Sequence, residues 1–333
     1  MAERKFDLRG WEHFNPSDPI ASLTNVLGMI WDRHCDTLSL NIPDLRELME
    51  EVVTKRNILA ASHKVFDPLG ITGPVLLLPK LWLQSLWKSQ IGGDQEVDLK
   101  TRQDFLKWLK ELEYLKHVQV PRWLHCDNGF QHISLHFFCD ASKPAYSAVV
   151  FLRVDIGSTV HIQLVQSKTR IASCGEKGNN NCQTGISWYC YICSSFYNCL
   201  KRVSNRRLFL EDSTTVLAWL KIEEPWGVFF YNRVQEIRKL TPVKAWRHVP
   251  GSLNPADCPS RECSAKQICS SKWWEDPSWL HLSPQEWPIS DVEVDVNEVE
   301  VNKERRVIVT SKINVQTTNI KSDYFSPIVE TTA

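Results

Sequence analysis

The sequence lacks a net charge, because 39 Lys and Arg residues balance 39 Asp and Glu residues. Such a chain has no overall field that would attract nucleic acid or an anionic membrane, so any nucleic-acid binding must come from local basic patches. Long apolar runs are also missing. The stretch GPVLLLPKLWLQSLW contains Pro, Lys and Gln, and it falls short of the roughly 20 residues that a membrane span requires. We therefore expect no transmembrane segment.

A regular cysteine pattern is absent as well. The eleven cysteines are odd in number and scattered, without the even spacings that are typical of a secreted disulfide framework. The first residues, MAERKFDLRGWEHF, contain no apolar core of a signal peptide. Both features favour an intracellular protein, cytoplasmic or nuclear, with reduced thiols.

The composition nevertheless supplies material for a core. Hydrophobic residues make up 43% of the chain and include 14 Trp and 13 Phe, which is far from the composition of a disordered protein. At 333 residues the chain exceeds what one small core needs, so we expect two or three domains.

The first third of the sequence predicts a β-hairpin followed by helices. Residues 25–42 set an apolar run against an alternating run across a polar turn, the pattern of a hairpin. Apolar residues then recur at helical spacing over residues 45–67, 75–87 and 101–115. We therefore expect residues 44–118 to be mainly α-helical.

The pattern then changes to strands. Residues 132–140, 145–154 and 159–168 are three apolar, alternating runs with short links, and they predict an antiparallel meander. A helical or ambiguous stretch comes next at 186–203, and then a fourth strand, two helices, a last strand and a closing helix. This order predicts an α/β fold, a mixed sheet with helices on its faces.

Three aspartates stand at comparable positions in this pattern. Asp140 ends the first strand of the meander, Asp212 ends the fourth strand, and Asp257 opens the closing helix. A single aspartate at such a place is usually a turn or cap residue, but three that meet at one sheet edge repel one another unless cations bind. Carboxylate oxygens suit Mg²⁺ or Mn²⁺. Two such ions about 4 Å apart activate water and stabilise the leaving oxygen of a phosphodiester, which is nuclease chemistry.

Long motifs in a fixed order carry a family resemblance. FFCDASKPAYSAVVFLR, LFLEDSTTVLAWL and WRHVPGSLNPADCPSR resemble the ribonuclease H-like domain of Bel/Pao-type LTR retrotransposon polyproteins. VLGMIWDRHCDTLSL and KVFDPLGITGPVLLLPKLWLQSLWK, which lie upstream, resemble the segment that joins the reverse transcriptase palm to that domain. SSKWWEDPSWL resembles the segment that the family has downstream of the domain. The resemblance covers about residues 7–288.

The resemblance implies a fold and a division of the chain. The fold is a ribonuclease H-like mixed sheet with flanking helices, preceded by a β-hairpin and a mainly helical region similar to the reverse transcriptase thumb and connection. The implied domains are the end of a palm-like hairpin, the helical thumb-like or connection-like region, the ribonuclease H-like domain, and a Trp-rich extension with an acidic, solvated tail, over residues 1–43, 44–126, 127–262 and 263–333.

The resemblance also implies roles for the three aspartates. Asp140 in DAS, Asp212 in DST and Asp257 in NPAD match the family's metal-binding carboxylates, with Mg²⁺ or Mn²⁺ as the cofactor. The implied ancestral activity is hydrolysis of RNA in RNA–DNA hybrids by two-metal catalysis. The implied partners are an RNA–DNA hybrid or other nucleic acid and other parts of a polyprotein, with no membrane.

The sequence departs from the family where a fourth carboxylate is expected. The family has a glutamate about a dozen residues after a KSR motif, and here Gln183 stands near that place, while Glu176 lies in a Gly-flanked loop. An amide supplies a neutral oxygen where a metal-bridging anion is needed, so we expect impaired catalysis. A non-catalytic remnant that binds nucleic acid or protein therefore stays open as the alternative.

The residues also bear on peptidase activity and on nucleic-acid binding. The family region is often given a peptidase label, yet the sequence has no Asp-Thr-Gly or Asp-Ser-Gly, which an aspartic peptidase needs. Aspartic peptidase activity is therefore the least favoured interpretation.

Basic residues at 201, 202, 206 and 207, with Lys168 and Arg170, are expected beside the aspartates. There they either bind phosphates of a nucleic acid or form a solvated surface.

Overall fold

The computed structural model describes residues 23–126, 132–172, 206–223 and 226–291, together with residues 13, 204 and 301. The predicted hairpin is confirmed, with Met29 opposite Leu40. It forms the middle of a four-stranded antiparallel sheet. The strands, in their order across the sheet, are β1 (Leu23–Val26), β2 (Met29–Asp32), β3 (Thr37–Leu40) and β4 (Gln119–Pro121). Because β4 pairs with β3, the end of the helical region completes the hairpin's sheet.

The region between β3 and β4 is helical, as predicted. Its elements are α1 (Glu47–Glu50), α2 (Lys55–Lys64), α3 (Gly73–Lys88), α4 (Leu99–Glu111) and a 3₁₀ helix at Leu112–His117. None of the helices in the described ranges has the length and apolar character of a membrane span.

The continuous helix expected over residues 45–67 is wrong, because the chain is extended between α1 and α2. Val52, Val53 and Thr54 are β-branched, which disfavours a helix. Thr54 forms an antiparallel bridge with Glu96, and its hydroxyl accepts a hydrogen bond from the Asn57 amide at the start of α2. The apolar periodicity of the sequence continues through this extended stretch, whereas the structure begins a separate helix, α2, after the N-cap Thr54.

The second half of the chain forms a mixed five-stranded sheet. Its strands are β5 (His132–Ala141), β6 (Ala145–Asp155), β7 (Val160–Ile171), β8 (Arg206–Glu211) and β9 (Trp246–His248), in the order β7-β6-β5-β8-β9. The three strands of the meander are antiparallel, whereas β8 runs parallel to β5 and β9 parallel to β8. The associated helices are α5 (Thr214–Lys221), α6 (Val228–Leu240), α7 (Asp257–Ser260) and α8 (Ala265–Ser271). The mixed α/β architecture is therefore confirmed.

Both faces of this sheet are covered. Along β5, Leu135, Phe137 and Cys139 join the core beneath α5 and α6, whereas Phe138 joins the core beneath α3 and α4. β6 is buried over almost its whole length, as expected of a strand with elements on both faces. The predicted helix at 186–203, Gln183 and Glu176 lie outside the described residues.

The Trp-rich segment that comes after α8 packs on the sheet. Trp273, Trp274 and Trp279 are buried, and the Trp273 indole donates a hydrogen bond to the Ile71 carbonyl at 3.1 Å. The Arg153 guanidinium on β6 donates to the Leu280 carbonyl at 2.9 Å. These residues therefore belong to the same core as the helical region.

Candidate active site

The structure brings the three predicted aspartates together at one edge of the sheet. Asp140 is the next-to-last residue of β5, and Asp212 directly follows β8. Because these strands are parallel, with Cys139 opposite Glu211, their ends lie side by side. Asp257 begins α7, which packs against β5. Burial raises the pKa of Asp140, and the charges of Asp212 and Asp257 each add to the rise.

Asp140 is the most buried of the three. Its side chain lies on the sheet face of Phe138, and the residue is 7% exposed. Burial raises its pKa to about 6, the charges of Asp212 and Asp257 add to the rise, and a hydrogen bond with Ser260 and the charge of Arg261 oppose it. The Oδ2 atom has no hydrogen-bond partner within the described ranges. A buried carboxylate oxygen of this kind is costly unless a cation reaches it.

Asp212 lies in the turn between β8 and α5. Burial raises its pKa and the charge of Asp257 adds to the rise, while hydrogen bonding with Glu211 and Asn254 opposes it. Ser213 starts α5 by accepting the Val216 amide at 3.3 Å, which fixes the chain direction directly after Asp212.

The turn after β9 touches Asp212. A Cβ atom added to Gly251 would lie 3.1 Å from the Asp212 Oδ2 atom. The glycine therefore allows the HVPG turn to approach the carboxylate without displacing it.

The NPAD motif is tied to the sheet by side chains. Asn254 donates from Nδ2 to the Cys139 carbonyl at 2.8 Å, and its Oδ1 accepts the Ala256 amide. The Ser147 hydroxyl on β6 donates to the Ala256 carbonyl. The Asp257 amide donates to the Asn254 carbonyl at 3.0 Å. These bonds hold the NPAD turn, and with it the start of α7, against β5 and β6.

Asp257 is held by a cation that directly follows its helix. The Arg261 Nε and Nη2 atoms lie 2.7 and 2.6 Å from Asp257 Oδ1. Arg261 therefore supplies local positive charge to the carboxylate cluster. Its role was not foreseen from the sequence, although the spacing of four residues is a signal for a helical ion pair.

A fourth acidic residue, Glu211, was also missed. It ends β8, is fully buried, and accepts the Ser213 amide through Oε1 at 3.1 Å. Strand alternation places Glu211 on the face of Phe209, whereas Asp140 lies on the opposite face. The alternating pattern of RRLFLED is the feature of the sequence that could have predicted the face on which Glu211 lies.

The predicted basic patch is only partly beside the aspartates. Lys168 and Arg170 lie at the end of β7 that is nearest Asp140, because they pair with the first residues of β6. Arg206 and Arg207 begin β8, at the end of the strand opposite to Asp212, so their expected position is wrong. A strand advances about 3.3 Å per residue, so the length of β8 separates Arg206 and Arg207 from Asp212, although all three lie in one short motif. Lys201 and Arg202 lie outside the described residues.

The three aspartates suit a hard divalent cation, because each offers carboxylate oxygens as ligands. The buried Asp140 Oδ2 atom, which has no hydrogen-bond partner among the described residues, also favours a cation. Within the described part of the chain, no three His, Cys, Asp or Glu side chains are already arranged as a metal-binding group. A cation would therefore have to draw the carboxylates closer.

Residues 54–179 match a family model described as the Pao retrotransposon-like RNaseH-like domain. This stretch is a Pao-type retrotransposon region. The Pao-type region contains α2 to α4, β5 to β7 and Asp140, whereas Asp212 and Asp257 lie beyond the matched residues. It also extends across the domain boundary predicted at residue 126. No curated protein matches the chain.

Proposed function

We propose that the chain contains a ribonuclease H-like site of retrotransposon origin, which hydrolyses the RNA strand of RNA–DNA hybrids at a reduced rate. The supporting observation is the meeting of Asp140, Asp212 and Asp257 at one sheet edge, where burial, together with the charges of neighbouring aspartates, raises the pKa values of Asp140 and Asp212. A site that accumulates buried negative charge is suited to divalent cations.

The three aspartates would hold Mg²⁺ or Mn²⁺, and a pair of these ions would supply an activated water and stabilise the leaving oxygen. Asn254 orients the NPAD turn against β5. Arg261 neutralises part of the Asp257 charge, and it would release the carboxylate when a cation binds. Lys168 and Arg170, at the end of β7 nearest Asp140, would contact phosphates of the substrate.

A non-catalytic remnant is the second candidate. Gln183 stands near the position of the family's glutamate, so the site would lack one anionic ligand. Loss of a pre-organised charge of this kind lowers a catalytic rate by roughly 10²–10³-fold or more. On this alternative the domain still binds nucleic acid but does not cleave it.

A cleavage assay separates the two candidates. We expect the full chain to cleave a labelled RNA–DNA hybrid slowly with Mg²⁺ or Mn²⁺, and Asp140→Asn to lower the rate by at least about 100-fold, because a buried anionic ligand is lost. Asp94→Asn is the matched control, since Asp94 is an exposed aspartate paired with Arg56 far from the site. Gln183→Glu should raise the rate.

The outcomes are distinct. Cleavage that is equal in the wild type and Asp140→Asn would contradict the proposed site. Absence of cleavage in every variant, including Gln183→Glu, together with binding of the hybrid, would establish the remnant instead.

A further inference from the structure

A cluster of cations lies outside the aspartate site, at the β9 edge of the sheet. A cavity of about 320 Å³ is lined by Lys221 at the end of α5, Lys244 in a 3₁₀ helix at Val243–Ala245, and Arg247 in β9. Val243 and Asp291 complete its described lining. Among the described lining residues, three positive charges therefore face one negative charge.

Arg247 is held in place by the backbone. Its Nη1 atom donates to the Lys244 carbonyl at 2.5 Å and to the Trp246 carbonyl at 3.0 Å. The side chains of Lys221 and Arg247 are 20% and 28% exposed, so both are partly withdrawn from water. A guanidinium fixed in this way loses less entropy when it binds an anion.

The cavity already receives an anion from the chain itself. The Asp291 Oδ1 atom lies 3.2 Å from Lys221 Nζ and 3.3 Å from Arg247 Nη1. Ser290, the preceding residue, exchanges backbone hydrogen bonds with His248 of β9. Asp291 is also the first acid of the run DVEVDVNEVE. One oxygen of the Asp291 carboxylate therefore lies where an oxygen of a bound anion would lie.

The dimensions and charges favour a phosphate group over a carboxylate as the full occupant. One oxygen of Asp291 meets two of the cations, and its side chain is 67% exposed, so it fills little of the cavity. A phosphate offers several acceptor oxygens to Lys and Arg groups at once. The cluster is linked to the candidate site through the sheet, because Arg247 lies in β9, which pairs with β8, and Asp212 directly follows β8.

We propose that Lys221, Lys244 and Arg247 bind a phosphate group of a polynucleotide backbone, and that Asp291 competes with it for the same cavity. The inference rests on the proposed function in taking the RNA–DNA hybrid as the polynucleotide. Asp291 acts as a weak internal competitor, because an exposed ion pair holds its partner loosely. The polynucleotide displaces the Asp291 carboxylate, and its phosphate group then contacts the three cations.

Binding of a fluorescent RNA–DNA hybrid, measured by anisotropy in EDTA over a range of salt concentrations, tests the inference without cleavage. Lys221→Gln and Arg247→Gln should each weaken binding by about 5- to 10-fold and lower the salt slope by about 1, because a phosphate contact is lost. Asp291→Asn should strengthen binding by about 2- to 5-fold, the range expected when an exposed competing ion pair is removed. A misfolded variant would not gain affinity.

Matched controls are available on other surfaces. Lys116→Gln removes a lysine paired with Glu113, and Asp94→Asn removes an aspartate paired with Arg56; neither should change the affinity by more than about 1.5-fold, since neither residue lines the cavity. Affinities of Lys221→Gln and Arg247→Gln equal to that of Lys116→Gln would overturn the binding site. An unchanged affinity for Asp291→Asn would overturn the competition.

Failure of the inference is distinguishable from failure of the proposed function. Cleavage that depends on Asp140, with binding unaffected by Lys221→Gln, leaves the function standing and removes the inference. Binding that responds to Lys221→Gln and Asp291→Asn, with no cleavage, leaves the inference standing and removes the nuclease. Absence of any hybrid binding overturns the inference directly.

Discussion

Asp140 carries an electrostatic cost in the folded chain. Burial raises its pKa from the ordinary value of 3.8 to about 6, so the folded state binds more protons than the unfolded state between these two pH values. Stability therefore falls as the pH rises from about 4 to about 6, and the cost persists at neutral pH. A position that destabilises the fold in this way is typical of a functional carboxylate.

The Asp140→Asn variant tests this cost. Asparagine has nearly the same shape and no charge, so we expect the metal-free variant to be more stable than the wild type at pH 7, by at most about 3 kcal/mol. The gain should shrink as the pH falls from about 6 to about 4, since the wild-type carboxyl becomes protonated. Urea unfolding in EDTA at a series of pH values measures the difference. A variant that is less stable at pH 7 would contradict the buried-charge account.

At the residue scale, the aspartates were predictable and their neighbours were not. Asp140, Asp212 and Asp257 follow or begin regular elements, and parallel pairing of β5 with β8 brings strand ends together. Glu211 and Arg261 depend on strand faces and on one helical turn, which tertiary packing decides. Arg206 lies in the same short motif as Asp212, but the length of β8 separates the two residues.

At the element scale, the loop between α2 and α3 covers the edge of β7. The Asp67 carboxylate accepts the amides of Leu69, Gly70 and Thr72, and the Ser167 amide on β7 donates to the Leu69 carbonyl at 2.7 Å. Gly70 has a φ of +80°, and a Cβ atom there would lie 2.0 Å from the Ser167 carbonyl oxygen. The loop thus shields an edge strand that would otherwise expose unpaired backbone groups.

Gly70→Ala should therefore destabilise the protein, by about 2–4 kcal/mol, because it adds left-handed strain to a clash with the backbone of β7. Gly93→Ala is the control, since a Cβ atom at Gly93 meets no atom within 4 Å among the described residues; its effect should stay within about 0.5 kcal/mol. Thermal unfolding followed by circular dichroism compares the two. Equal stabilities would show that the loop is not packed on β7.

Elements with strong local patterns were predicted well, and those that depend on distant partners were not. The three strands of the meander and helices α3 and α4 follow their apolar periodicity. β4 has three residues, and its pairing with β3 joins segments that are far apart in the sequence. The Trp-rich segment has no apolar period from which its packing could be predicted, and it contacts residues far away in the sequence, as the hydrogen bond from the Trp273 indole to the Ile71 carbonyl shows.

At the scale of the whole molecule, the helical region and the sheet share a core. Trp108 of α4 stacks on Phe105 and donates to the Val75 carbonyl at 3.0 Å. The same cluster of buried residues includes Met29 of the hairpin sheet and Phe138 of β5. The boundary predicted at residue 126 stays a prediction, but packing continues across it. A shared core couples the unfolding of both parts.

Trp108→Ala tests this coupling. We expect it to lower the free energy of unfolding by about 3–5 kcal/mol, the usual cost of emptying a large buried site, and to speed amide exchange in β5 and β6 as much as in α4. Leu99→Ala is the control on the same helix, because Leu99 is 73% exposed. Hydrogen exchange followed by mass spectrometry reads each element separately. Faster exchange confined to α2–α4 would mean that the sheet folds independently, and that the Pao-type region contains two cooperative units.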